Sequence, residues 1–256
     1  MSAMLQLAWL EMNKGYHWLQ APNNPTIYHL MGLSIQLAFS GWHVIARETM
    51  VEGANPFVFA AYREVLSTVL MYCLCRSRGY SLSSIQPGDM PRIFWTGFFS
   101  FINVVGALVA LDFISADRFA ILQPTIPVWA TLLSICCKIE PIRLMKMGAI
   151  FLAVIGAVVV ELGPEDLNEK SDPLNESVGT IVTIAQCMST AIVLILSKPL
   201  TKKYPPTLVT CAYYTVGSSF TMMVILAMSW TLTWDKLFFE GESGAWLSVA
   251  YATIVA

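Results

Sequence analysis

IFWTGFFSFINVVGALVAL, from Ile93 to Leu111, runs without a charged residue and carries one amide, Asn103. A helix rises about 1.5 Å per residue and needs roughly 20 apolar residues to cross a hydrocarbon layer about 30 Å thick, so this stretch can span a bilayer. Working outward, comparable runs occupy Ile27 to Ala46, Pro56 to Cys75, Ser115 to Cys137, Leu144 to Leu162, Val178 to Ser197 and Thr207 to Trp230. An eighth run starts at Gly244 and reaches only Ala256, too short to cross. The expectation is an all-α polytopic membrane protein.

Composition agrees. Of 256 residues, 56% are apolar and 12% charged, against about a quarter charged in a soluble domain. The net charge of −2 and scattered Lys and Arg offer no surface for a polyanion, so nucleic acid is excluded as a partner. The cysteines (Cys73, Cys75, Cys136, Cys137, Cys187, Cys211) fall in apolar runs and form no CxxC pair. His29 and His43 share one span and cannot grip a haem from opposite sides. With no phosphate loop, metal-spaced cluster or nucleophile motif, neither a cofactor nor an enzyme is expected.

Basic residues in short loops mark the cytoplasmic side. A cytoplasmic N-terminus, residues 1–26, puts Lys14, Arg76, Arg78, Arg92, Lys138, Arg143, Lys146, Lys198, Lys202 and Lys203 inside, and leaves Arg47, Lys170 and Lys236 outside. The acidic segment 163–177, with Glu165, Asp166, Glu169, Asp172 and Glu176, then lies outside.

An offset of 150 residues superposes the first two runs on the sixth and seventh without a gap: Gln36 meets Gln186, Ser40 meets Thr190, and Pro56 meets Pro206. An odd number of spans separates the equivalents, so the second unit enters the membrane in the opposite sense, as in many secondary transporters. Residues 27–162 form the first five-helix unit and 178–256 an incomplete second. Continuing the offset predicts ten helices, with the last two and most of the eighth missing, as in a fragment or a shortened chain that pairs with another.

Polar groups inside hydrocarbon need a partner or a water-filled cavity. His29, Gln36, Ser40, His43 and Arg47 make one stripe on the first span, and Thr183, Gln186, Thr190 and Ser197 another on the sixth. Together they either line a central pocket or glue helices by hydrogen bonds. Arg63 and Glu64 lie about a third of the way into the second span; their directions differ, so each is expected to need its own neighbour. Arg63 either binds solute, forms a structural ion pair, or snorkels to the interface. Gln123, Pro124 and Pro127 predict a broken backbone in the fourth span, because each proline lacks a donor and clashes one turn back. Gly148 and Gly156, with Ala149, Ala153 and Ala157, give the fifth span a small face for close packing.

The run SADRFAILQPTIPVW (Ser115 to Trp129) resembles the corresponding segment of plant nodulin-21-like and walls-are-thin transporters, within the EamA-like drug/metabolite transporter superfamily. NPFVFAAYRE (Asn55 to Glu64), Asn103 and RLMKMGAIFLAVIGAVVV (Arg143 to Val160) match further parts of that pattern, and the resemblance covers about residues 27–256. Asp117-Arg118 departs from the small uncharged residues usual there, which bears on substrate preference. The resemblance implies two inverted five-helix repeats around a central cavity. It implies alternating-access transport of small organic metabolites, such as amino acids or auxin-like compounds, at the plasma membrane or an endomembrane. From the polar stripes, the proline break and the Asn of the third span, the candidate substrate-binding residues are Gln36, Ser40, His43, Arg63, Asn103, Gln123, Pro124, Pro127, Gln186 and Thr190. Partners are the lipid bilayer, a small-molecule solute and a second copy of the chain. A seven-span receptor and a non-transporting truncated membrane protein are the alternatives; the receptor needs an external N-terminus, which the charge bias opposes.

Overall fold

The computed structural model describes residues 25–139, 148, 150–152, 155–156, 159, 173–228, 239 and 244–255. The helices are α1 (Pro25–Val51), α2 (Pro56–Ser77), α3 (Met90–Phe113), α4 (Ala116–Leu122), α5 (Ile126–Cys136), α6 (Pro173–Lys203), α7 (Pro206–Met228) and α8 (Ala245–Val255). No strand occurs among the described residues. Five stretches are long and apolar enough to cross a membrane: Pro56–Ser77, Pro87–Phe113, Ala116–Cys136, Glu176–Lys203 and Pro206–Met228. At 27 residues α1 has the length, but His29, Gln36, Ser40 and His43 dilute its apolar content. The chain is an all-α polytopic integral membrane protein. Most of the expected fifth span and of the acidic segment lie outside the described residues.

Local sequence sets the helix ends. Asn55 caps α2, its Oδ1 accepting from the N–H groups of Phe57 (3.0 Å) and Val58 (3.3 Å), and Pro56 follows in the first turn, where its missing N–H costs nothing. At the other end Gly79 takes a φ of 76°, returning the Tyr80 N–H to Cys75 O at 3.0 Å. The fourth span is broken, as the prolines predict: α4 stops at Leu122, Gln123–Thr125 form a turn of 3-10 helix, and α5 resumes at Ile126. Leu122 O is taken up by the Thr125 hydroxyl at 2.7 Å and the Cys187 thiol at 3.7 Å. α6 begins at Pro173, five residues before the expected Val178, because proline suits a first turn and Glu176 suits the positive end of the helix dipole. Glu176 pairs there with Arg118 at the start of α4.

Side-chain contacts give the helix directions. On α3 and α6, Asn103 meets Thr190, Gly106 meets Gln186, and Gly179 packs against Phe113 and Ile114, so the two run antiparallel. α2 and α7 are antiparallel through Glu64 near Gly217, Thr68 on Tyr214 O (3.2 Å) and Arg78 on Thr207 (3.3 Å). α1 and α8 are antiparallel through Thr49 on Ser248 (2.7 Å) and Tyr251 on Ala38 O (2.9 Å). α1 and α3 are parallel, since Arg47 near the end of α1 donates to Leu111 O (2.7 Å) and Asp112 O (3.0 Å) at the end of α3. Under the offset α1 maps on α6, α2 on α7 and α3 on α8, and every equivalent pair points in opposite directions. The contacts exchange too: α3 on α6 becomes α8 on α1, while α2 on α7 maps on itself. These directions agree with the inverted repeat expected from the offset of 150 residues.

Two apolar clusters stand at opposite ends of the bundle. One gathers Trp42, Phe59, Leu108, Leu111, Phe119 and Val249; the other gathers Met71, Ile85, Ile93, Leu200, Leu208 and Tyr213. Along α2, Arg63, Glu64 and Ser67 fall between them, and along α3 so do Thr96, Ser100 and Asn103. Among the described residues a polar layer thus lies between the two clusters.

Candidate solute site between the repeats

The polar layer centres on Gln186, 5% exposed on α6. Its Nε2 donates to Asn103 Oδ1 at 2.5 Å and to Thr190 Oγ1 at 3.2 Å, and its Oε1 accepts from Gln123 Nε2 at 3.0 Å. Thr190 Oγ1 also lies 2.6 Å from Asn103 Oδ1. Gly106 makes room: a Cβ there would sit 3.3 Å from Gln186 Cβ, so only a small residue admits the amide this close to α3. Three amides and a hydroxyl from α3, α6 and the broken fourth span therefore meet at one point. The proline break turns the end of α4 toward α6, which lets Gln123 and Leu122 O reach Gln186 and Cys187. Such a cluster offers donors and acceptors together, and matches the amino, carboxyl or amide groups of a polar organic solute.

Asn103, Gln123, Gln186 and Thr190, all candidates from the sequence, are thus brought together. Gln36 and Ser40 are not among them: both are exposed on α1, and Ser40 Oγ donates to Gln36 O at 3.0 Å within its own helix. Symmetry explains the difference, because the equivalent of Asn103 is Thr253 (103 plus 150), and its hydroxyl is taken by Val249 O at 2.8 Å. No amide from α8 meets Gln36. His43 is half-buried, edge-on to Trp42 and Phe119 at 5.1 and 5.0 Å between ring centres. Pro124 and Pro127 are exposed and shape the backbone rather than touch the network.

Arg63 and Glu64 correct the expectation of separate neighbours. Arg63 Nη1 lies 3.1 Å from Glu64 Oε1, both side chains being buried. Adjacent helix positions point about 100° apart, but the arginine stem is long enough to fold back across that angle. Trp42 covers the guanidinium, 5.9 Å from the ring centre. Ser67, which shares a helix face with Arg63 in the sequence, lies beside this pair, whereas sequence reasoning missed Trp42 and Gly217, which come from other helices.

The profile of the EamA-like transporter family matches residues 26–162, more than half of the chain. The chain belongs to the EamA-like transporter family. Among curated proteins it is similar to Protein WALLS ARE THIN 1 of Arabidopsis thaliana, 24% identical over 271 aligned positions that cover 89% of this chain and 66% of the relative. A WAT1-related protein of the same plant is 25% identical over 244 positions, 85% of this chain and 63% of the relative. The chain thus spans just under two thirds of the length of these relatives. The resemblance read from SADRFAILQPTIPVW and its companion motifs is borne out.

Proposed function

We propose that the chain is a secondary carrier or facilitator of small organic metabolites and not a catalyst. Asn103, Gln123, Gln186 and Thr190 form the polar contact for the solute. The observation that carries this reading is the Gln186 amide, buried at mid-height and bonded at once to α3 and to the break between α4 and α5. An apolar cluster closes each side of this layer, so a solute enters when one cluster parts and leaves when the other does, by rocking of one repeat against the other. Membership of the EamA-like transporter family supports the class of activity. The amide-rich site favours zwitterionic or carboxylate-bearing solutes, such as amino acids or auxin-like compounds. The basic loop residues favour a cytoplasmic N-terminus, in a plasma membrane or endomembrane.

The test is uptake into proteoliposomes of a labelled amino-acid mixture and, separately, a labelled indole carboxylate. Gln186→Leu is expected to lower uptake at least about tenfold; it loses four side-chain hydrogen bonds worth about 0.6 kcal/mol each, a structural cost of only about 2 kcal/mol. Uptake by Gln186→Leu equal to that of the parent chain refutes the assignment.

A further inference from the structure

Glu64 is not explained by the amide network. It is 0% exposed, lies between the two apolar clusters, and faces the line on which α2 meets its own repeat equivalent α7. One oxygen, Oε1, pairs with Arg63; the other, Oε2, has no hydrogen-bond partner among the described residues. Oε2 lies against Gly217, 3.4 Å from where a Cβ would stand, so α7 approaches the carboxyl without covering it with a side chain. Ser67 Oγ, three residues further along α2, is buried and likewise without a partner. A buried polar atom left unbonded is destabilising, so this state of the pocket is held at a cost that another state can lower.

Taking up a proton is one way to change that state. Taken up on Oε2 from hydronium, it forms an O–H bond and leaves water, converting a carboxylate acceptor into a neutral acid with a donor. Arg63 keeps its own proton and loses its counter-charge. We infer that Glu64 is a proton-binding site at the α2–α7 contact, and that its loading and unloading couple a proton gradient to the rocking of the two repeats. The coupling half of this inference rests on the transport reading above; the proton site does not. Few other ionisable groups surround it. From α7 Tyr213 and Tyr214 are within electrostatic range. α3 carries charge only at its ends, Arg92 and Asp112. From α1 come Trp42 over Arg63, His43 turned to Phe119, and Arg47 and Glu48 further along. From α8 Tyr251 is engaged with Ala38 O.

The experiment uses the full chain in liposomes and two readouts. Infrared difference spectra between acid and neutral buffer are expected to show a buried carboxylic-acid C=O band in the parent chain and in the control Glu176→Gln, lost in Glu64→Gln. In Glu64→Asp the band is kept but its pH midpoint moves, which decides the matter should Glu64→Gln fail to fold. The second readout is uptake of the labelled amino-acid mixture with and without an inward proton gradient: the parent chain is stimulated, and Glu64→Gln loses the stimulation while retaining tracer exchange. A parent spectrum without the band, or a band that persists in Glu64→Gln, overturns the proton site. Uptake indifferent to the gradient in the parent chain overturns the coupling. A band lost in Glu64→Gln with no uptake by any form upholds the proton site and overturns the transport reading instead.

Discussion

Gly97→Ala adds one methyl group where α3 crosses α7. The new Cβ would lie 2.5 Å from Val216 Cβ, 2.7 Å from Val216 Cγ1 and 2.7 Å from Tyr213 O. Carbon atoms rest at about 3.5–4.0 Å, so the contact is short by about 1 Å. Val216 Cγ1 can rotate, but Tyr213 O is backbone, and relief requires α7 as a whole to move away. That movement separates Gly217 from Gly97 O, which an added Cβ on Gly217 would approach to 3.3 Å, and disturbs the seat of Glu64. Forcing a methylene into a packed interior costs about 1–3 kcal/mol; the upper half of that range is expected because one obstacle is main chain. The assay is reversible unfolding in mixed detergent micelles, followed by circular dichroism, with Gly32→Ala as control. Nothing lies within 4 Å of a Cβ at Gly32, and alanine there is expected to stabilise α1 by up to about 1 kcal/mol. Equal stability of Gly97→Ala and the parent chain, or an equal loss in Gly32→Ala, refutes the close crossing.

Two further outcomes follow from the helix ends. Asn55→Ala removes the acceptor for two N–H groups at the start of α2 and is expected to cost about 1 kcal/mol in the same unfolding assay, with Asn55→Asp nearly neutral. Lys203 Nζ bonds Asp89 Oδ2 (2.5 Å) and Gln86 Oε1 (2.6 Å), and the Tyr204 hydroxyl also donates to Asp89 Oδ2 at 2.7 Å. Because Lys203 is well exposed, Lys203→Ala is expected to cost less stability than Asn55→Ala, and that loss should shrink further in high salt.

The spans were legible because a bilayer imposes one length scale and a ban on unpaired backbone, and both write themselves into composition. The inverted repeat was legible for a related reason: helices that occupy equivalent places keep similar lengths and turns, as Pro56 and Pro206 show by opening α2 and α7. Asn103, Gln123, Gln186 and Thr190 stood out as polar residues in apolar surroundings, and four such groups need each other. What periodicity did not reveal is which equivalents remain alike. Gln36 and Gln186 share a register, yet only Gln186 finds an amide opposite, because position 253 holds a threonine bonded to its own helix. Nor does a helical wheel foresee that Arg63 folds back on Glu64, since the wheel places Cβ atoms and not the ends of long side chains.

The antiparallel seating of α6 against α3 also governs the order in which the chain matures. Asn103 enters the membrane more than eighty positions ahead of Gln186, the residue that satisfies it. Until α6 emerges, the Asn103 amide therefore lacks the partners that satisfy it in the folded chain. Synthesis paused before α6 should yield a species that is inserted, loosely packed and marked for degradation.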